Sequence, residues 1–381
     1  MSHLGYIEKL LDGVEVEWKE LGDVATLQRG RVMSKGYLNE NPGKYPVYSS
    51  QTANNGKIGS IDTFDFEGEY VNWTTDGANA GTVFYRTGKF SITNVSGLIK
   101  INDTLNLNYK YLFYWLSTEA KKHVYSGMGN PKLMSNQVAK IPIPIPPIRI
   151  QTEIVRILDT FTELTAELTA ELTARQQQYA YYREQLLTFE EGEVEWKELG
   201  EVCESISSGK NKIKSELGLF PVFGSTGIIG RTDTKVYEKE QILVARVGAN
   251  AGRVNIAKGE YDVSDNTLIV QNKDSIVLKF LYYYLVYINL NRFTKGAGQP
   301  LLTAGQLKKM LIPTPPLSEQ KRIVSILDKF DALTTSLTEG LPREIELRQQ
   351  QYEYYRDLLL SFPKPEVVAN DWPHKNHCWI E

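Results

Sequence analysis

Short runs that mix arginine, lysine and side-chain amides with glycine recur through this chain, and they suit one kind of chemistry. A guanidinium donates two parallel hydrogen bonds to guanine, an Asn or Gln amide pairs with adenine, and Lys, Arg and hydroxyls bind phosphate. In the first half, QRGRVMSK supplies Gln28, Arg29, Arg31 and Lys35, and SSQTANNGK supplies Ser50, Gln51, Asn54, Asn55 and Lys57. WTTDGANAG adds Trp73, Thr75 and Asn79, and GMGNPKL adds Asn130 and Lys132. In the second half, SSGKNKIK carries Lys210, Asn211, Lys212 and Lys214, while Ser225, Thr226, Arg231, Arg246, Asn250, Arg253 and Gln299 occupy matching stretches. Blander roles compete with this one. Asn79 and Asn250 in GANAG equally suit a tight turn, Trp73 suits a core, and basic runs suit a solvated loop.

Catalytic signatures are missing. SSGKNKIKS lacks the first glycine and the spacing of a phosphate-binding loop. GANAG does not open a helix in a βαβ unit, so it is not a dinucleotide fingerprint. The Asn-Pro-Pro or Asp-Pro-Pro loop of amino-methyltransferases is absent, and four histidines leave little room for imidazole acid–base work. His374, His377 and Cys378 lack a fourth partner at metal-binding spacing. The chain reads as non-catalytic.

The elements that must position these residues come in two copies. EVEWKELG stands at 15–22 and again at 193–200. IPIPPIRIQTEIVRILDTFTELT (143–165) answers to IPTPPLSEQKRIVSILDKFDALT (312–334), and RQQQYAYYREQLLTF (175–189) to RQQQYEYYRDLLLSF (348–362). Between these near-identical blocks lie looser pairs: YPVYSS and FPVFGS, GANAGTV and GANAGRV, KYLFYWL and KFLYYYL, GMGNPKL and GAGQPLL. The chain is a tandem duplication with alternating constant and variable parts. YIEKLLDG near the start matches part of the constant block and YYRDLLLSF near the end completes it. Joined head to tail the repeat is cyclic, which predicts a pseudo-two-fold arrangement.

Charge follows the same division. The net charge of −3 splits into +4 over 23–147 and +6 over 203–316, against −3, −7 and −3 over 1–22, 148–202 and 317–381. Basic variable segments on an acidic frame fit a polyanion bound at two places. Two cysteines in 381 residues argue against a disulfide framework and for a reducing compartment. With neither a signal-peptide pattern nor an apolar run long enough for a membrane span, the expected location is cytoplasmic and no membrane partner is expected.

The constant blocks show helical periodicity. Ile154, Ile157, Leu158, Phe161, Leu164, Leu168 and Leu172 fall at spacings of three and four, continued by Tyr179, Tyr182 and Leu186. The copy has Ile323, Ile326, Leu327, Phe330, Leu333 and Leu337, a stop at Gly340 and a restart after Pro342. Stripes this narrow pack most simply as an antiparallel coiled coil. The variable segments read as short strands separated by Gly/Asn/Asp turns, each closed by one helix, NYKYLFYWLSTEAKKH and SIVLKFLYYYLVYINL. The expected class is α+β, with two mixed α/β variable domains separated by long antiparallel coiled-coil helices and an internal pseudo-two-fold repeat. The expected division is 1–22, N-terminal part of the constant repeat; 23–147, first variable domain; 148–198, central constant helices; 199–316, second variable domain; 317–362, distal constant helices; and 363–381, a disordered tail.

PPLSEQKRIVSILDKFDALT, its partner at 146–165 and the tetrad run LTAELTAELTA (164–174) together resemble the specificity subunit of type I restriction–modification systems, in particular the type IC group. The resemblance covers nearly the whole chain; RIQT at 149–152 departs from the more family-like SEQK at 318–321. It implies a non-catalytic subunit whose two target-recognition domains each read one half of a bipartite, asymmetric site in double-stranded DNA. The constant helices would space them and dock two modification subunits, with restriction subunits joining that core. S-adenosylmethionine and ATP would be bound by those partners and neither by this chain. The rival readings are a self-contained methyltransferase, which lacks its cofactor loop here, and a coiled-coil scaffold displaying two non-DNA ligand-binding domains.

Overall fold

The structure is a computed structural model that describes residues 13–126, 129–212, 215–296, 298–336 and 338–363. Lys214, Leu337, the tail residues His374, His377 and Cys378, and the expected disordered segment beyond residue 363 lie outside the described residues. Five principal helices are α1 (Tyr109–Glu119), α2 (Ile148–Leu187), α3 (Leu278–Tyr287), α4 (Leu317–Thr335) and α5 (Leu341–Leu359). The periodic stripe after the proline run thus forms one helix of 40 residues. Among the described residues no helix is long and apolar enough to cross a membrane.

The chain divides into two compact units, Met1–Ala166 with Leu347–Glu381, and Glu167–Glu346. The first contains β1 (Glu17–Glu20), β2 (Ala25–Arg29), β3 (Pro42–Tyr48), β4 (Lys57–Ile61), β5 (Phe66–Thr74), β6 (Val83–Ile92), β7 (Ser96–Ile101) and β8 (Pro142–Ile145). Six of these form one sheet in the order β2-β7-β5-β6-β3-β4, and β1 pairs with β8. The second unit contains β9 (Trp196–Glu198), β10 (Cys203–Ser208), β11 (Phe220–Gly224), β12 (Gly227–Thr232), β13 (Gln241–Ala245), β14 (Val254–Ala257), β15 (Asp262–Val263), β16 (Thr267–Asn272) and β17 (Leu311–Pro313). Its sheets run β10-β16-β13-β14 and β12-β11-β15, with β17 beside β9. The topology is the same once β6 is seen to do the work of both β14 and β15: its far end pairs parallel with β3 as β15 does with β11. Divergent loops therefore hang on one repeated frame.

Period-two alternation builds two layers on each sheet. In the first unit Val71, Trp73, Ile99 and Ile101 face a core with α1, while Leu98, Phe90 and Ile92 face a smaller one. In the second, Ile242, Val244, Leu268 and Val270 pack with α3, and Leu243 and Ile269 face the other side.

The constant blocks supply matching anchors. Gln151, fully buried, donates to Pro146 O at 2.7 Å and Asn106 O at 2.8 Å and accepts from Asn108 N at 2.9 Å. Gln320 repeats this, donating to Pro315 O at 2.8 Å and accepting from Val277 N at 2.7 Å. Asp159 accepts from Lys110 and from Tyr114 at 2.7 Å, as Asp328 does from Lys279 at 2.6 Å and Tyr283 at 2.7 Å. Burial first, then the carboxylate, pushes both tyrosines well up, so both phenols stay donors.

The end of the described chain completes the first unit. Leu359, Leu360 and Phe362 are buried in its core, and Trp18 Nε1 donates to Pro363 O at 3.0 Å. Leu187 and Phe189 hold the corresponding places in the second unit. The cyclic repeat expected from the sequence is thereby realised. Along α2, Phe161 stacks on Tyr355 at 5.3 Å and Tyr182 on Phe330 at 5.6 Å.

Candidate nucleic-acid interface

In the first unit, backbone hydrogen bonds tie together the loops that carry most of the candidate residues. Thr75 N reaches Val95 O at 3.1 Å, Leu133 N reaches Thr75 O at 2.9 Å, and Gly77 N reaches Pro131 O at 3.0 Å. Thr93 N reaches Tyr48 O at 2.9 Å, which adds the loop after β3. Arg29, Ser50, Gln51, Asn79 and Lys132 thus belong to one tied group of loops. Asn79 donates to Ser50 O at 3.2 Å, and Gln51 to Lys57 O at 2.7 Å. Asn54 and Asn55 are exposed with left-handed φ of 50° and 51°, a conformation that Asn tolerates better than most residues. Gln28, Lys35, Asn130 and Lys132 are exposed, and Lys57 is half-buried at the start of β4.

Two of the candidates are corrected. Trp73 is 1% exposed, donates its indole N–H to Leu133 O at 3.0 Å and lies against Gly97, where an added Cβ would fall 2.1 Å from the ring. It is a core residue, because β5 is a central strand with both faces covered. Thr75 is fully buried; its hydroxyl accepts from Arg29 at 3.0 Å and donates to Asp76 at 2.6 Å. Neither side chain is placed to touch a ligand.

Arg31 is also engaged, with Nε 3.0 Å from Asp65 Oδ2 and its guanidinium 5.1 Å from the Tyr37 ring centre. Sequence reasoning missed Arg86. It is 2% exposed, lies 3.7 Å from the Tyr48 ring centre and 4.4 Å from that of Phe84, and donates to Asn55 O at 2.9 Å. Burial lowers its pKa to about 10, still far above neutrality, so a charged clamp holds the loop of Gln51, Asn54 and Asn55. GTVFYRT looked like plain strand; only the contact with a loop 31 residues away reveals the role.

The second unit repeats the arrangement with other side chains. Arg246 N reaches Asn266 O at 3.0 Å, Leu302 N reaches Arg246 O at 2.8 Å, Gly248 N reaches Pro300 O at 2.9 Å, and Asn211 N reaches Val263 O at 3.1 Å. Lys210, Lys212, Thr226, Arg253 and Gln299 are exposed; Ser225 and Asn250 are half-buried. Asn211 donates to Asp262 at 2.6 Å. Arg231 holds Gly218 O and Leu219 O at 2.7 Å each, so it braces its own loop. The GANAG turns have a structural purpose in both units: a Cβ at Gly252, whose φ is +89°, would come within 2.3 Å of Asn291 N. The two faces therefore share a scaffold of turns and differ in the polar groups they display.

Comparison with known proteins agrees with this repeat. The pattern of the type I restriction modification DNA specificity domain matches residues 13–175 and again 191–347. The chain is 38% identical to the Escherichia coli type I restriction enzyme EcoR124I/EcoR124II specificity subunit, across 97% of this chain and 100% of that one. It is 35% identical to a putative type I restriction enzyme specificity subunit of Haemophilus influenzae, over 94% and 98%. A crystal structure of the type I restriction–modification S subunit from M. genitalium superposes with a TM-score of 0.66 at 17% identity, covering 93% of this chain and 98% of that one. With both halves matched and the whole length aligned, the chain belongs to the family of type I restriction–modification DNA specificity subunits.

Proposed function

We propose that the two loop clusters are the DNA-reading faces, each contacting one half of a bipartite, asymmetric double-stranded site. The observation that carries this is the repetition of one strand topology, with GANAG turns and buried glutamine anchors matched, beneath loops whose exposed side chains differ. Identical frames with different faces suit two different half-sites. The exposed Lys132, Lys210, Lys212 and Arg253 supply phosphate contacts, and amides and guanidiniums on the tied turns supply base contacts. The constant helices dock two modification subunits, to which restriction subunits add. S-adenosylmethionine and ATP belong to those partners, and this chain holds neither.

The test reconstitutes the chain with its modification subunits. Methyl transfer from S-adenosylmethionine to DNA should appear only when both are present, and DNA binding should weaken steeply as salt rises. Methyl transfer by the isolated chain, or binding indifferent to salt, contradicts the reading. A scaffold for sugars or proteins would give that second result.

A further inference from the structure

Six buried polar side-chain atoms of the described residues find no hydrogen-bond partner, and five lie in the two loop clusters: Arg29 Nε and Ser96 Oγ, then Arg246 Nε, Ser264 Oγ and Thr267 Oγ1. The places match. One turn is closed by Ser96 N on Thr93 O at 3.0 Å, the other by Thr267 N on Ser264 O at 3.2 Å. Within each turn a guanidinium donates to the corresponding carbonyl, Arg29 to Asn94 O and Arg246 to Asp265 O at 3.4 Å. The arginines nevertheless come from different strands. Arg29 ends β2, whereas Arg246 follows β13, at the position that Thr75 holds in the first unit.

Their electrostatic settings differ as well. Arg29 lies 3.8 Å from Asp76 Oδ2, and both side chains share the Thr75 hydroxyl. In the second unit Val247 stands where Asp76 does, and among the described residues no carboxylate oxygen is within 4 Å of Arg246. Gly224 in place of Ser49 removes a further partner: Thr93 Oγ1 donates to Ser49 Oγ at 2.9 Å, but its counterpart Ser264 Oγ has nothing to bond. The second cluster thus keeps a guanidinium with one long hydrogen bond, no counter-ion and unpartnered hydroxyls beside it. A cation so placed retains donors for a ligand with two adjacent acceptors, and guanine O6 and N7 are such a pair.

We infer that Arg246 reads a guanine in the half-site of the second unit, whereas Arg29, held by Asp76, is a positioning residue that braces the loops of the first. This rests on the second unit being a DNA-reading half. The experiment is methylation-site sequencing with the full complex carrying Arg246→Lys, Arg246→Gln or Val247→Asp. Both arginine substitutions should relax one G·C position of one half-site by roughly ten- to a hundredfold, with the other half-site untouched. Val247→Asp, which keeps Arg246 and installs the neutralising carboxylate, should act in the same direction. Uniform weakening across all sequences by Arg246→Gln, repaired by Arg246→Lys, is the behaviour of a phosphate contact and overturns the inference. So does an unchanged recognition sequence in all three variants. Failure of the underlying reading looks different: replacing the whole of 203–316 would then alter no half-site.

Discussion

Replacing Gln151 with Leu tests how the constant block holds the first unit. The side chain fits the same volume but abandons three backbone groups: Pro146 O, Asn106 O and Asn108 N, bonded at 2.7, 2.8 and 2.9 Å. Stranding a buried polar group costs about 1–3 kcal/mol. The Pro146 contact is buried and the other two are part-buried, so only the first carries the full cost. Leucine adds some apolar burial in return. The net loss should be about 3 kcal/mol. For a unit of this size that is a fall in Tm of about 6–12 °C. Calorimetry should show the transition of the first unit moving and that of the second holding, with faster amide exchange at Asn108. A shift under about 2 °C, with Asn108 still protected, would refute the anchor argument. Gln320→Leu should produce the mirror result, with Val277 as the exposed amide.

Burial pushes the Cys203 thiol up to about 12. In a Cys378→Ser background a thiol reagent at pH 8 should therefore leave the folded chain unlabelled; rapid labelling contradicts this. Because the folded thiol holds its proton more tightly than the unfolded one, its contribution to stability should fall as pH rises from about 9 to about 12, which denaturant titration across that window checks. One extra Thr-Ala-Glu-Leu tetrad inserted after Leu172, inside α2, adds about 6 Å and rotates the downstream part of the helix by roughly 40°. DNA advances about 3.4 Å per base pair and turns by roughly 35°, so the unread spacer should grow by about one base pair with both half-sites kept. An active enzyme that retains the original spacer sinks this.

The frame was legible because it rests on local periodicity and on copying. The stripe from Ile154 to Leu186 needed only spacings of three and four, and the cyclic repeat needed only the match of two blocks. Even the departure at RIQT was harmless, since Gln151 keeps step with Gln320 and that glutamine is the buried group. The loops were less legible because their roles are set by distant partners. Whether Arg29 is available depends on Asp76 and Thr75, some 46 residues away. By residue type alone Trp73 suits both a ligand contact and a core, and the central position of β5 with the bare Cα of Gly97 shows where the ring goes. The role of Arg86 depends on a loop formed by other strands, and no residue type or spacing announces it.

Modular reading by the two units is the central claim, and exchanging residues 203–316 for the equivalent segment of another family member tests it most directly. The hybrid, assembled with its modification subunits, should methylate a site in which one half is new and the other half and the spacer are unchanged. A recognition sequence altered in both halves, or in neither, would contradict the account.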